Sequence, residues 1–364
     1  MAPISAAASS STRLTTRTLT DGGQQPLEIA NAIADWLGEA RQSLELAQYD
    51  FHLAPKTAAV VAGAIRDASA RGVSVRILYN VDHRNPIPVP PPPEPDVELI
   101  ASLGVPSKAV AGVPDLMHHK FVVRDRQAVW TGSMNWTDDS WSRQENVIIA
   151  VDSAEVAESF LEDFDQLWSK DLVEETGFVP PKRLHLDGVV VRPWFTPGFG
   201  EDLSARIARD IGRAKRRVRI CSPVITAAPI LATLAQLVSE GERDVAGCLD
   251  APQIQGVVYQ WHENGNVAWK LPLLERVLAG AFTGKVSTPY GAGTVHDFMH
   301  AKIVVADDVV FTGSFNLSRS GEQNAENVLE IHDPELAEHL SAYVDDVRRR
   351  YPPVQLPDTQ SPEP

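Results

Sequence analysis

Met117-His118-His119-Lys120 and Met299-His300-Ala301-Lys302 each set an imidazole two residues before an ammonium, so one chain carries the pair twice. Each pair is followed by an Asp (Asp125, Asp307), a Gly-Ser-x-Asn (Gly132, Ser133, Asn135; Gly313, Ser314, Asn316) and a Glu (Glu145, Glu326). In both copies the Asp lies five residues beyond the Lys, and the Glu lies thirteen beyond the Gly. An ordered duplicate of this length implies two homologous halves that each supply half of one site. Val122 and Val123, or Ile303, Val304 and Val305, place the motif on apolar strands. His and Lys two apart on a strand point to the same face. A following strand ends in Gly-Ser-x-Asn, where glycine permits a tight turn and the Ser hydroxyl and Asn amide can donate hydrogen bonds.

Two His, two Lys, two Ser and two Asn around one point suit a phosphodiester. Its nonbridging oxygens need fixed cationic and hydrogen-bonding donors, while a nucleophile and an acid act on opposite sides of phosphorus. One histidine attacks as neutral imidazole and the other protonates the leaving oxygen. An ordinary histidine pKa of about 6.5 makes that division accessible near neutral pH, with a carboxylate holding each ring in its useful tautomer.

The elements that must position these residues repeat as well. Ile29 to Ala40 has helical spacing, Ser43 to Phe51 reads as a strand, Thr57 to Arg71 as a helix ending at Gly72, and Val73 to Val81 as a strand. The second half gives a helix through Leu203, Ile207, Ile211 and Ala214, a strand from Val218 to Ile225, a helix from Ile230 to Val238 and a strand from Val245 to Leu249. Ala40, Leu44 and Leu46 map to Ala214, Val218 and Ile220 at an offset of 174, which grows to 182 at the His-x-Lys motifs. Amphipathic helices near Ala154–Trp168 and Pro334–Arg348 close the halves. The fold class expected is α/β: two repeats, each a mixed, mostly parallel sheet flanked by helices on both faces, packed about a pseudo-two-fold axis.

The expected organisation is a disordered leader over 1–26, an N-terminal repeat over 27–172, a linker over 173–188 where Gly177, Pro180, Pro181 and Gly188 interrupt the pattern, a C-terminal repeat over 189–350, and a disordered proline-rich tail over 351–364. Two segments read as loops at matching places, 85–95 with its run of prolines and 253–270 with Tyr259, Trp261, His262 and Trp269. The chain has 364 residues, 43% hydrophobic and 22% charged, as in a soluble globular protein. Its net charge of -15 argues against a large nonspecific nucleic-acid surface. Cys221 and Cys248 lie in apolar strands and read as buried thiols, not a disulfide or zinc framework. No run is long enough to span a membrane and no signal h-region is present, so a cytoplasmic protein is expected.

The two stretches MHHKFVVRDRQAVWTGSMNWT with QENVIIA, and MHAKIVVADDVVFTGSFNLS with AENVLEI, resemble the phospholipase D superfamily, whose members carry the motif twice or dimerise around one copy. The motif style is similar to the cardiolipin hydrolase and bacterial Nuc endonuclease branch, and the resemblance covers most of residues 27 to 350. It implies a covalent phosphohistidine on His118, with His300 as general acid and then base for water. Lys120, Lys302, Ser133, Ser314, Asn135 and Asn316 would hold the phosphate. Glu145 and Glu326 would orient the rings across the pseudo-axis, His118 with Glu326 and His300 with Glu145. Asp125 and Asp307 would be structural. No metal and no cofactor is implied. His296 and His300, four apart, would suit zinc only on a helix, which Gly291 and Gly293 disfavour.

The expected activity is hydrolysis of a glycerophospholipid phosphodiester, with transfer to an alcohol as a variant outcome, at a membrane surface touched only transiently. Nucleic acid is the alternative substrate, and a non-catalytic scaffold is disfavoured because every polar residue of the motif is present twice. Both motifs lie in one chain, so a monomer suffices. His119 is expected on the opposite strand face, in a core or supporting role.

Overall fold

The computed structural model describes residues 7–9, 11–81, 96–112, 114–289 and 293–355. The first repeat runs β1 (Ala7–Ala8), β2 (Leu14–Leu19), α1 (Pro26–Gly38), β3 (Ser43–Gln48), β4 (Phe51–His52), α2 (Pro55–Ala70), β5 (Ser74–Val81), α3 (Val97–Ser102), β6 (Ser107–Ala111), β7 (Lys120–Arg124), β8 (Ala128–Gly132), β9 (Trp136–Thr137), α4 (Asp138–Ser142), β10 (Asn146–Asp152) and α5 (Ala154–Lys170). The second runs β11 (Leu184–Leu186), β12 (Val189–Thr196), α6 (Gly200–Arg213), β13 (Arg217–Cys221), α7 (Ala228–Glu240), β14 (Asp244–Asp250), α8 (Ala251–Glu263), α9 (Leu271–Leu278), β15 (Ala281–Lys285), β16 (Ile303–Ala306), β17 (Val309–Gly313), α10 (Arg319–Gln323), β18 (Glu326–His332) and α11 (Pro334–Arg348).

The two large sheets have the same order, β1-β2-β10-β8-β7-β3-β5-β6 and β11-β12-β18-β17-β16-β13-β14-β15. Both are mixed. Parallel pairing is confined to β3-β5-β6 and β13-β14-β15, where helices make the crossovers. The other pairs of these two sheets are antiparallel, with β7 and β8, or β16 and β17, joined by short turns, and β4 and β9 pair in parallel as a separate two-stranded sheet. The parallel share is therefore smaller than the strand-helix alternation implies, and the His-x-Lys motifs open the antiparallel hairpins.

Three cores explain the layering. One packs α1 and α2 on the outer face of the first sheet, through Ile29, Ile33, Leu37, Val61 and Ile65. A second packs α6, α7 and α9 on the outer face of the other. The third lies between the sheets and draws on both repeats, with α5 and α11 in its centre. Each central helix starts on a side-chain cap: Ser153 accepts from the Val156 amide and Asp333 from the Glu335 and Leu336 amides. Their buried stripes, Val156, Phe160, Phe164 and Leu167 against Leu336, Leu340, Tyr343 and Val347, follow helical spacing.

Four expectations about connecting segments change. The leader 1–26 is not disordered throughout, because Leu14–Leu19 forms β2 and pairs with all but the last residue of β10, Leu14 opposite Val151 and Leu19 opposite Asn146. Its Thr-rich sequence looks polar, but β-branched residues suit a strand of which one face is buried. The linker 173–188 is packed: Val173, Thr176, Val179 and Leu186 are buried, and the Gly177 amide donates to Asp163 Oδ1 at 3.0 Å. The segment 253–270 is no loop, since α8 occupies 251–263 with Ile254, Val258 and Trp261 buried on one face. The tail is ordered to residue 355, with the Gly284 amide donating to Pro352 O at 2.8 Å. Residues 85–95 and 356–364 lie outside the described residues.

Candidate active site

His118 is fixed before its side chain is considered. Met117 pairs in parallel with Ala325 of the other repeat, and the His118 amide donates to Ala325 O at 2.9 Å. The image of this bridge is Glu145 with Met299. From behind, Asn80 Oδ1 accepts from the Met117 amide at 3.1 Å, and Asp250 Oδ2 accepts from the Met299 amide at 3.0 Å. Asn80 in β5 and Asp250 in β14 occupy equivalent strand positions. Each clamps the backbone one residue before a histidine.

His118, Lys120, His300 and Lys302 are all buried and converge on the seam between repeats. Lys120 Nζ donates to His118 O at 2.7 Å and Lys302 Nζ to His300 O at 2.8 Å. The Tyr49 ring packs edge-on against His118 with centroids 4.5 Å apart, and Lys120 Nζ stands 4.8 Å from the same ring. His118 Nδ1 lies 2.8 Å from Glu326 Oε2 and 2.9 Å from Oε1. An ionised Glu326 can only accept, so Nδ1 carries the proton and Nε2 keeps its lone pair.

The expected second pair, His300 with Glu145, does not form. His300 Nδ1 instead donates to Asn146 Oδ1 at 3.2 Å. The cause is strand register. Gly132 pairs with Ile148, sixteen residues on, whereas Gly313 pairs with Val328, fifteen on. The Ser133 amide donates to Val147 O, and the Ser314 amide to Asn327 O. A Cβ on Gly132 would meet Val147 O, and one on Gly313 would meet Asn327 O, both at 2.1 Å. Glycine is required at both places by that close approach. In space, then, Glu326 corresponds to Asn146, and Glu145 corresponds to Ala325.

Glu145 turns away into a different network. Its Oε2 accepts from Lys285 Nζ at 2.8 Å and its Oε1 from Tyr351 Oη at 2.5 Å. Lys285 is buried, also donates to Arg143 O at 2.8 Å, and lies 3.3 Å from Asp21 Oδ2. This cluster joins the segment after β2, the end of α4, β15 and the C-terminal segment.

The serine hydroxyls are committed within the protein, which corrects their expected place on phosphate. Ser133 Oγ accepts from the Val147 amide at 3.0 Å and donates to Asn146 Oδ1 at 2.7 Å. Ser314 Oγ accepts from the Asn327 amide at 3.0 Å and hydrogen-bonds Glu326. Both are buried supports for the groups behind the histidines. Asn135 and Asn316 are half-buried, with side-chain oxygens sealed and unpartnered. Among the described residues no hydrogen bond engages their amide nitrogens, which leaves those donors for a ligand. Asp125 and Asp307 lie at the far ends of the hairpins. Asp125 accepts from the amides of Arg41, Gln42 and Ser43, Asp307 from those of Lys215, Arg216 and Arg217, and both carboxyls are held below the usual range by these bonds.

Burial dominates the electrostatics. It pushes His118 and His300 well below the ordinary histidine value, reinforced by the lysines, so both rings are neutral without ligand. It lowers Lys120 to about 7 and Lys302 well below its usual value, and it raises Glu326 to about 7. Asp50, which follows Tyr49 and has its Oδ1 sealed without a partner, is raised to about 7, with Lys120 opposing. A bound phosphodiester anion would reverse the lysine shifts, since its charge supplies the missing partner.

His119 is fully buried on the opposite face, its Nε2 2.9 Å from Asp163 Oδ2 and its Nδ1 3.3 Å from Asn327 Oδ1. His296 and His300 are not on a helix, so their spacing does not bring them to one face. Sequence reasoning missed Tyr49, Asn80, Asn146, Asp250 and Lys285. Asn80 and Asp250 had a legible signal, as the polar ends of two equivalent apolar strands. Lys285 has no counterpart in the first repeat's sequence pattern and gave none.

Comparison with known proteins agrees with this architecture. The family model described as "Cardiolipin synthase, PLD-like domain" matches residues 33–168 and again 207–348. Human mitochondrial cardiolipin hydrolase is 30% identical over 147 residues, 40% of this chain and 53% of that protein. A phospholipase D of Rickettsia bellii is 30% identical over 132 residues, 36% of this chain and 60% of that protein. The chain thus spans little more than half the length of these curated relatives. The crystal structure of phosphatidylserine synthase from Haemophilus influenzae Rd KW20 superposes with a TM-score of 0.65 at 14% identity, covering 94% of this chain and 87% of that one, which is likeness of fold. With the family model matched twice across most of its length, the chain belongs to the phospholipase D-like family.

Proposed function

We propose that this protein is a phospholipase D-type phosphodiesterase that hydrolyses a glycerophospholipid through a covalent phosphohistidine. The observation that carries the reading is the buried seam at which His118 and His300, each beside a lysine, face one another with Nδ1 of both rings tied from behind. That tie keeps Nε2 as the reactive atom on each ring.

In the first step the His118 Nε2 lone pair forms an N–P bond. The P–O bond to the leaving alcohol breaks, its electron pair stays on that oxygen, and His300, which has taken up a proton at Nε2 as the substrate anion binds, supplies that proton. In the second step His300 takes a proton from water, the water oxygen forms a P–O bond, and the N–P electron pair returns to His118. The products are an alcohol and a phosphomonoester. Lys120, Lys302 and the amide nitrogens of Asn135 and Asn316 hold the nonbridging oxygens, where charge grows in the transition state. An alcohol in place of water would give the transfer product.

The lipid assignment is supported by the net charge of -15, which opposes polyanions at large, and by relatives named cardiolipin hydrolase and phospholipase D. The test is incubation in EDTA with phosphatidylcholine or cardiolipin vesicles and, separately, with single-stranded DNA and RNA. Phosphatidic acid or released headgroup is the expected result. Cut polynucleotide without lipid turnover would replace the lipid with nucleic acid, and full activity in either His118→Ala or His300→Ala would end the mechanism.

A further inference from the structure

The two histidines are backed unequally, by a carboxylate behind His118 and by an amide behind His300. We infer that Asn146 is the positioning residue of His300, and that this neutral backing makes His300 the proton donor suited to poorly leaving alkoxides. The inference rests on the phosphodiesterase reading above.

The orientation of the Asn146 amide is fixed by its surroundings. Its Nδ2 faces Ser140 O at 3.0 Å, an atom that can only accept, so the NH2 end must point there. Its Oδ1 takes the Ser133 hydroxyl at 2.7 Å and His300 Nδ1 at 3.2 Å. The Val147 amide already donates to Ser133 Oγ, which turns the hydroxyl proton toward Asn146. All three side chains are buried. A chain of hydrogen bonds that contains no charge keeps the proton on His300 Nδ1 in both the neutral and the protonated ring, so the proton that the ring gains and gives up resides on Nε2.

A carboxylate at hydrogen-bond distance stabilises an imidazolium and holds its proton; an amide oxygen does so far less. Behind His118 the carboxylate of Glu326 strengthens the Nε2 lone pair and stabilises the positive ring formed when that nitrogen bonds phosphorus. Behind His300 the same carboxylate would retain a proton that must be given away. Glu145, the residue whose motif position matches Glu326, is removed from His300 by its bonds to Lys285 and Tyr351. The exchange gives one ring the backing of a nucleophile and the other that of an acid.

The test uses the whole chain and two diesters, bis(4-nitrophenyl) phosphate, whose leaving group needs no acid, and dibutyl phosphate followed by butanol release, whose leaving group does. With wild type, both should yield a phosphoryl adduct trapped by an alkaline denaturing quench; no adduct and no turnover with either would defeat the phosphodiesterase reading itself. Given turnover, His300→Asn should keep adduct formation on His118 with the aryl diester while losing alkyl release by about 100-fold or more. Asn146→Asp should move the high-pH limb of alkyl release up by about one unit or more, leaving aryl adduct formation nearly unchanged. An unmoved limb, or an adduct on His300, would overturn the assignment. Should Asn146→Asp not fold, proton NMR of the wild type decides: one Nδ1–H far downfield and lost in Glu326→Gln supports unequal backing, and two equally downfield protons refute it.

Discussion

Under the proposed mechanism, Lys120 and Glu326 set the working pH of the site because each must carry charge where burial opposes it. Glu326, raised to about 7, has to be ionised to tie His118, and protonating it removes that tie as pH falls. Lys120, lowered to about 7, has to be protonated to hold phosphate, and it loses its proton as pH rises. With the aryl diester, which needs no proton from His300, the kcat/KM profile should therefore be a bell with both limbs near neutrality, belonging to the coupled pair and not to either group alone. Glu326→Gln should flatten the acidic limb and lower kcat/KM by about 10- to 100-fold, measured against pH with a soluble diester. At this scale much of the site was legible. His118, Lys120, His300 and Lys302 were named by type and spacing, since a strand's period of two fixes which side chains share a face. The partner of His300 was not. Ser153, the α5 cap, lies 21 residues after Gly132, whereas Asp333, the α11 cap, lies 20 after Gly313, so one extra residue is visible in the sequence but its place is not. Val147, Ile148, Ile149 and Val151 are apolar on both faces, and such a strand gives no pattern to choose between registers one residue apart.

Among the elements, the ends of the chain do more than their composition implied. β2, close to the N-terminus, is Thr-rich, yet it takes the place in the first sheet that β12 takes in the second. The C-terminal segment reaches Glu145 through Tyr351 and lies along β15. Lys285 holds these pieces together from a buried position, so Lys285→Met should leave the Glu145 carboxylate inside the protein without its cation. A loss of about 3–5 kcal/mol in urea unfolding is expected, compared with about 1–2 kcal/mol for Tyr351→Phe, which removes one hydrogen bond. Equal, small effects would show that the carboxylate finds other partners. The strands and helices of the repeat were readable from periodicity because their buried stripes are regular. α8 was not, because Gln253, Gln255, Gly256 and Gln260 interrupt the stripe of Ile254, Val258 and Trp261.

For the whole molecule, the duplicated motifs come together at one seam, which under the proposed function makes one site and not two. His118 draws on Glu326, His300 on Asn146, and each partner comes from the other repeat. Mixing His118→Ala chains with His300→Ala chains should restore no activity, since each chain closes its own site; recovery of about a quarter of the wild-type rate would instead indicate exchange of repeats between chains. Among the described residues no helix is long and apolar enough to cross a membrane.

The backbone bridges Met117 to Ala325 and Glu145 to Met299 have a mechanical meaning beyond alignment. They stitch main chain to main chain immediately beside the two reactive rings, and α5 and α11 share one core behind them. Two halves tied in this manner cannot hinge apart like a jaw to admit a ligand, because the first hydrogen bonds to break would be those that aim the histidines. Any opening and closing around a substrate falls instead to the segments that rim the seam, while the seam itself stays as rigid as the sheets it joins.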